Sequence, residues 1–194
     1  MKRLASVGLI LAAAAAFMAP QAAAQARGIV GVGLGVPVGD FADEAGAAAQ
    51  SGGGTVLAGL EWLPRGRSFG LRVDGAYNRF CTSACDEAAG ELDVRYRFLN
   101  ANVNGLVEFP VGNADLRPYL IAGVGIYNYK LEGDDAPALA DESETDFGLN
   151  GGLGMTYTIG RVGIFAEGRF HNVFATGSDL QYIPVMLGAR INLQ

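Results

Sequence analysis

The sequence is short of several things. It has two cysteines and one histidine, too few of these ligands for a structural zinc site. After residue 18 no segment approaches the roughly 20 consecutive apolar residues of a spanning helix, so any passage through a membrane must be made by strands. There is no basic excess. The formal charge is −6, which argues against nucleic acid as a partner. No linker marks a second domain, and no repeat is visible beyond an alternation of residue types. Glycine reaches 29 residues without a collagen period or a low-complexity tract, so it calls for a structural reason.

The one long apolar run stands at the start. Lys2 and Arg3 precede Leu4 to Met18, and Ala22, Ala24 and Ala26 supply small residues for processing. This order of charged start, apolar middle and small end predicts a secretory signal peptide over residues 1–26, cleaved after Ala24 or Ala26. Loss of Lys2 and Arg3 takes the formal charge from −6 to −8. One domain over residues 27–194 is then expected.

What fills that domain is period-two alternation. In the first strand, expected from about Ile29 to Val38, the residues Val30, Val32, Leu34, Val36 and Val38 alternate with Gly31, Gly33, Gly35, Pro37 and Gly39, which puts one apolar row on one face of the strand. Seven further segments follow. Val56 to Trp62 is blurred by Leu57 and Leu63, whereas Phe69 to Asn78 is clean. Next come Leu99 to Phe109, with Asn100, Asn102 and Asn104 on its polar row, and Tyr119 to Tyr129, whose parity is assigned by its glycines. Phe147 to Thr158, Val162 to His171 and Ile183 to Leu193 complete the set. The expected fold is all-β: an eight-stranded antiparallel up-and-down transmembrane β-barrel, with small inward glycines relieving crowding in a narrow lumen.

The polar parity collects Glu61, Arg72, Asp74, Glu108, Glu167, Arg169 and Arg190. Charges in a low-dielectric interior must find partners, and an eight-stranded barrel is just wide enough for side chains to fill. The set is read as a lumen charge network that plugs the barrel. Long connections after strands one, three and five, a shorter one after seven, and tight turns between place the loops outside and both termini in the periplasm. Trp62, Phe69, Phe109 and Tyr157 would form an inner aromatic girdle, and Phe41, Tyr77, Tyr129, Phe147 and Phe174 an outer one.

The segments Arg117-Pro118-Tyr119-Leu120-Ile121-Ala122-Gly123-Val124-Gly125 and Phe165-Ala166-Glu167-Gly168-Arg169-Phe170-His171, with Ile183-Pro184-Val185 and Leu187-Gly188, resemble the small outer-membrane β-barrel family that includes the OmpA transmembrane domain and OmpX. The resemblance spans essentially the whole mature chain and is specific for fold. It implies an outer-membrane location of Gram-negative type and insertion by the barrel assembly machinery. Gly188, Ile191 and Leu193 resemble the signal which that machinery reads, although the chain ends Leu193-Gln194 where a terminal aromatic is usual. It does not imply a peptidoglycan tether.

Cys81 and Cys85, exported to an oxidising compartment, are expected to form a local disulfide. His171 points into the lumen by parity and is expected to be hydrogen-bonded there, not to act as a catalytic base; its surroundings lack the spacing of a lipid A deacylase. Asp40, Asp43 and Glu44, then Asp86, Glu87 and Glu91, then Glu132, Asp134, Asp135, Asp141, Glu142, Glu144 and Asp146 make acidic loops. These are read as solvated surface, with weak divalent-cation binding as the alternative. Arg79, Arg95 and Arg97 lie on the outward parity above the membrane, where guanidinium pairs with phosphate; they are read as a contact with lipopolysaccharide, with rim salt bridges to Asp93 or Glu91 as the alternative. No catalytic residue, metal or cofactor is assigned. The expected function is a monomeric, non-enzymatic barrel of the outer membrane, in contact with lipid and lipopolysaccharide, serving envelope integrity or surface interaction through its loops. A lipid A-modifying enzyme is one alternative. A soluble lipocalin-like barrel, with the apolar parity turned inward, is the other.

Overall fold

The computed structural model describes residues 24–39, 42, 53–81, 94–112, 115–133, 143–177 and 179–193. Eight strands run in chain order: β1 (Ala24–Val38), β2 (Gly53–Pro64), β3 (Phe69–Cys81), β4 (Val94–Glu108), β5 (Leu116–Gly133), β6 (Ser143–Ile159), β7 (Val162–Val173) and β8 (Leu180–Asn192). Each pairs antiparallel with the next, and β8 returns to pair with β1. Closure leaves no unpaired strand edge, the condition a sheet must meet in lipid. The strands exceed the 9–11 residues that a tilted crossing needs, so the barrel wall continues past the hydrocarbon.

The two ends differ. At one, β2–β3, β4–β5 and β6–β7 are joined by short turns; Gly66 and Gly160 take positive φ values of 72° and 63° there, which residues with a Cβ adopt at a cost. At the other end lie the longer connections after β1, β3 and β5, and a short one after β7.

Parity is set as the alternation predicts, with the apolar row outward. Val32, Leu34, Leu153 and Leu187 are all more than 60% exposed, whereas Arg72, Glu61 and Arg169 are at most 1% exposed. A continuous apolar belt on this scale is not a water-facing surface. The arrangement overturns the lipocalin-like alternative, because the charged row is the buried one. Leu57 and Leu63, which blur the pattern of β2, are inward residues at 2% and 6% exposure. Leu57 packs with Ile29, Ala76, Phe165 and Met186, and Leu63 with Leu106, Tyr119 and Ile121. Apolar side chains therefore share the lumen with charged ones.

Glycine makes room for this filling at the closing seam. Gly31 of β1 lies opposite Gly188 of β8, and the Phe165 ring covers both. A Cβ at Gly188 would fall 2.6 Å from two ring carbons of Phe165, and one at Gly31 3.2 Å from the ring tip.

Three expectations need correction. Strand one begins at Ala24, not near Ile29, which brings Arg27 into the barrel. Strand five runs to Gly133 and strand six begins at Ser143, so Glu132, Glu144 and Asp146 belong to strands. Tyr129, assigned to the outer girdle, continues the inward parity of Tyr127; its hydroxyl lies 2.6 Å from a Glu144 carboxylate oxygen and 2.8 Å from one of Asp146, with one proton to donate between them, and its ring packs against Phe98. Phe69, Phe109 and Tyr157 near the turns, and Tyr77, Phe147 and Phe174 near the loops, are exposed as girdle residues should be. Phe147 and Phe174 stack at 6.2 Å. Phe41 lies outside the described residues.

Candidate functional site

All seven residues assigned to the lumen network are no more than 2% exposed, and the fold brings them together. Glu167 of β7 sits between two guanidinium groups, with Arg72 Nη1 and Arg169 Nη2 each at 2.6 Å, and accepts a hydrogen bond from the Tyr119 hydroxyl at 2.8 Å. Arg169 also reaches Asp74 at 3.2 Å. Asp74 in turn accepts from Asn102 and Asn104 at 3.1 and 2.8 Å, which uses two of the three asparagines on the polar row of β4. Glu61 pairs with Arg72 at 3.2 Å and with Arg190 at 3.5 Å, and Glu108 with Arg190 at 3.3 Å.

The seven charges alone leave one acid in excess. Arg27 of β1 supplies the missing base, with Nη1 3.1 Å from Glu61 and 2.8 Å from Glu108. Four arginines (27, 72, 169, 190) thus face four acids (61, 74, 108, 167), and the plug is neutral. Neutrality matters because an unpaired charge in a low-dielectric interior costs several kcal/mol. The signal that finds Arg27 is parity: it stands two residues before the inward Ile29.

Toward the long-loop end the lining changes from ionic to aromatic. Asn100 donates to the Tyr182 hydroxyl at 3.0 Å. His171 is buried, with its ring stacked on Tyr182 at 4.8 Å and its Nδ1 2.9 Å from the Tyr127 hydroxyl. It is a lumen histidine, as parity predicts. Phe80, Phe98, Tyr127, Val173, Leu180 and Tyr182 then close the bore with edge-on and tilted rings.

Outside the lumen, Arg79 of β3 is exposed on the outward face and lies opposite Arg97 of β4, which in turn lies opposite Lys130 of β5. Lys130 belongs to this row, and sequence reading misses it because cross-strand register is not visible in one strand. The Arg95 backbone pairs with Cys81, but its side chain lies outside what is described. So do the Cys81 side chain and Cys85, and with them the expected disulfide. The loop acids Asp40, Asp43, Glu44, Asp86, Glu87, Glu91, Asp134, Asp135, Asp141 and Glu142 also lie outside the described residues. Gly188 packs beneath Phe165, while Ile191 and Leu193 point outward at 46% and 57% exposure.

A family model described as "Outer membrane protein beta-barrel domain" matches residues 9–170. No curated protein matches the sequence. Among solved structures, Neisserial surface protein A (NspA) is similar at 14% identity and a TM-score of 0.57, covering 88% of this chain and 97% of that one. Ail, the attachment invasion locus protein of Yersinia pestis, is similar at 14% identity and a TM-score of 0.54, over 87% and 99% of the two chains. A major outer membrane protein from Thermus thermophilus is similar at 13% identity and a TM-score of 0.59, over 88% and 99%. At these identities the solved structures speak for fold, and the sequence model speaks for descent. A closed eight-stranded barrel with an apolar outer belt and an ion-paired lumen, matched over most of its length, belongs to the outer membrane protein β-barrel domain family.

Proposed function

We propose that this protein is a plugged, non-enzymatic outer-membrane barrel that acts through its long-loop face, in envelope integrity or surface interaction. The observation that carries the reading is the neutral plug: four arginines and four acids spend their charge on one another across the bore, and the aromatic layer lies beyond them. Such a lumen is built to be filled. The long loops then face outward and the short turns and both termini face the periplasm, the arrangement usual for such barrels.

The outward row Arg79, Arg97 and Lys130 is the surface we assign to lipopolysaccharide, together with Arg95. Guanidinium and ammonium groups aligned on three adjacent strands offer several charged donors to one phosphate. The test uses protein reconstituted in lipopolysaccharide-containing bilayers. R79Q/R97Q/K130Q is expected to weaken lipopolysaccharide binding on the order of tenfold or more, with the heat-modifiable electrophoretic shift of a folded barrel retained. Unchanged binding by a variant that keeps the shift rejects this surface. The plug is tested separately in planar bilayers, where the wild type is expected to show no stable conductance. A steady open channel would overturn the filled-lumen reading.

A further inference from the structure

We propose that the short-turn end of the barrel is an anion-binding vestibule that takes a phosphate group. A cavity of about 630 Å³ opens there, below the plug, a size that suits a small organic molecule. Its walls carry Arg27, Arg65, Arg67, Arg117 and Arg190 against only Glu108 and Asp115. A cationic chamber has been built into a protein whose overall charge is negative.

Arg27 and Arg190 balance the plug; the surplus in the chamber is Arg65, Arg67 and Arg117 against Asp115. Arg65 and Arg67, in the β2–β3 turn, are exposed and make no ion pair among the described residues. Arg117, at the start of β5, reaches Glu108 only at 3.8 Å. The cavity also collects polar atoms whose hydrogen bonds are unmade. Arg190 is 2% exposed; its Nη2 lies 3.5 Å from Glu61 Oε2, while its Nε and the Thr156 Oγ1 make no hydrogen bond, and Glu108 Oε2, an acceptor, faces Arg117 at 3.8 Å. Arg190, Thr156 and Glu108 all line the vestibule.

Buried donors left unmade are costly. Arg190 is held in place nonetheless, its guanidinium stacked 4.2 Å over the Tyr119 ring and 5.5 Å from the centre of the Phe165 ring. Its ion pairs with Glu61 and Glu108 engage this guanidinium, so it lends positive field to the chamber, and the donors for an anion come from the arginines of the mouth. Arg27 is engaged with Glu61 and Glu108 and contributes field more than donors. Arg65, Arg67 and Arg117 stand at the mouth, where they steer and clamp the anion.

The phosphate could come from a free small molecule or from a lipid headgroup at the membrane surface, and the experiment separates them. Full mature protein refolded in detergent is titrated with inorganic phosphate, with chloride at matched ionic strength as control, and backbone amide shifts are followed by NMR. Phosphate in the millimolar range is expected to move the lining amides of Thr158, Gly163 and Asn192, and chloride is not. The variant R65Q/R67Q/R117Q touches only the mouth and leaves the plug intact. It is expected to lower affinity on the order of tenfold or more while its unperturbed spectrum reports a native barrel. The titration is repeated in nanodiscs of zwitterionic lipid and in discs containing phosphatidylglycerol. Lining amides of the wild type already shifted in the phosphatidylglycerol discs before phosphate is added, and not in those of R65Q/R67Q/R117Q, identify a headgroup as the occupant; lining amides unchanged between the two kinds of disc until phosphate is added identify a free anion. If the lining amides stay still, or the variant responds like the wild type, the vestibule is a water-filled recess and the proposal fails. Neither result bears on the loop-face reading.

Discussion

Glu167 is the residue on which the plug depends most, because it alone contacts both fully buried arginines of the β3–β7 pair, each at 2.6 Å. Glu167→Gln keeps shape and removes charge, leaving Arg72 and Arg169 short of a counterion; the expected loss is about 3–5 kcal/mol of folding stability. Arg117→Gln, at the mouth and half-exposed, should cost less than about 1 kcal/mol. Urea unfolding in lipid vesicles, followed through the single tryptophan, Trp62, measures both. Near-equal losses would mean that the interior is far more hydrated than its packing implies. Residue by residue, much of this interior is legible in the sequence, since parity alone assigns Arg72, Asp74, Glu167 and Arg169 to one face. Pairing is not legible, because it depends on which strands face each other across the bore. Arg27 escapes for a different reason: it follows the candidate cleavage sites by one or three residues, and the alternation becomes clear only after it. Tyr129 lies toward the long-loop end of β5, where an outward girdle residue is expected, yet strand continuity fixes it inward.

Among the elements, β1 and β8 carry most of the consequences. Gly188 resembles part of an assembly signal, but the fold gives it a packing role beneath Phe165. Gly188→Ala should destabilise the folded barrel by about 1–3 kcal/mol through overpacking, because the added methyl meets the Val30 carbonyl oxygen as well as the Phe165 ring; combining it with Phe165→Leu should recover only the share due to the ring. A defect in membrane insertion with unchanged equilibrium stability would instead assign Gly188 to recognition alone. The start of β1 bears on processing. Gln25 and Ala26 pair with Leu63 and Trp62, and the Ala26 carbonyl accepts the Leu193 N–H at 3.0 Å. Cleavage after Ala26 would delete these rungs, whereas cleavage after Ala24 keeps them. The intact mass of protein taken from membranes is therefore expected to begin at Gln25, and a mature chain beginning at Arg27 contradicts this. Strand identity is readable from alternation along one segment. Register is a relation between segments, which is why the alignment of Lys130 with Arg97 emerges only from the assembled sheet.

At the scale of the whole molecule, hydrogen bonds and ion pairs connect different things. Every hydrogen-bonded ladder joins neighbours around the wall, whereas several of the ion pairs cross the interior. Arg72 and Asp74 on β3 hold Glu167 and Arg169 on β7, four strands away in either direction, and Glu108 on β4 holds Arg190 on β8 in the same way. These charges act as spokes. A barrel opened at any one seam keeps nearly all its ladders but pulls some spokes apart, stranding guanidinium and carboxylate groups in an apolar medium. Half-zipped forms are thus penalised out of proportion to the few hydrogen bonds they lack, and the chain should lose its structure in one step or not at all.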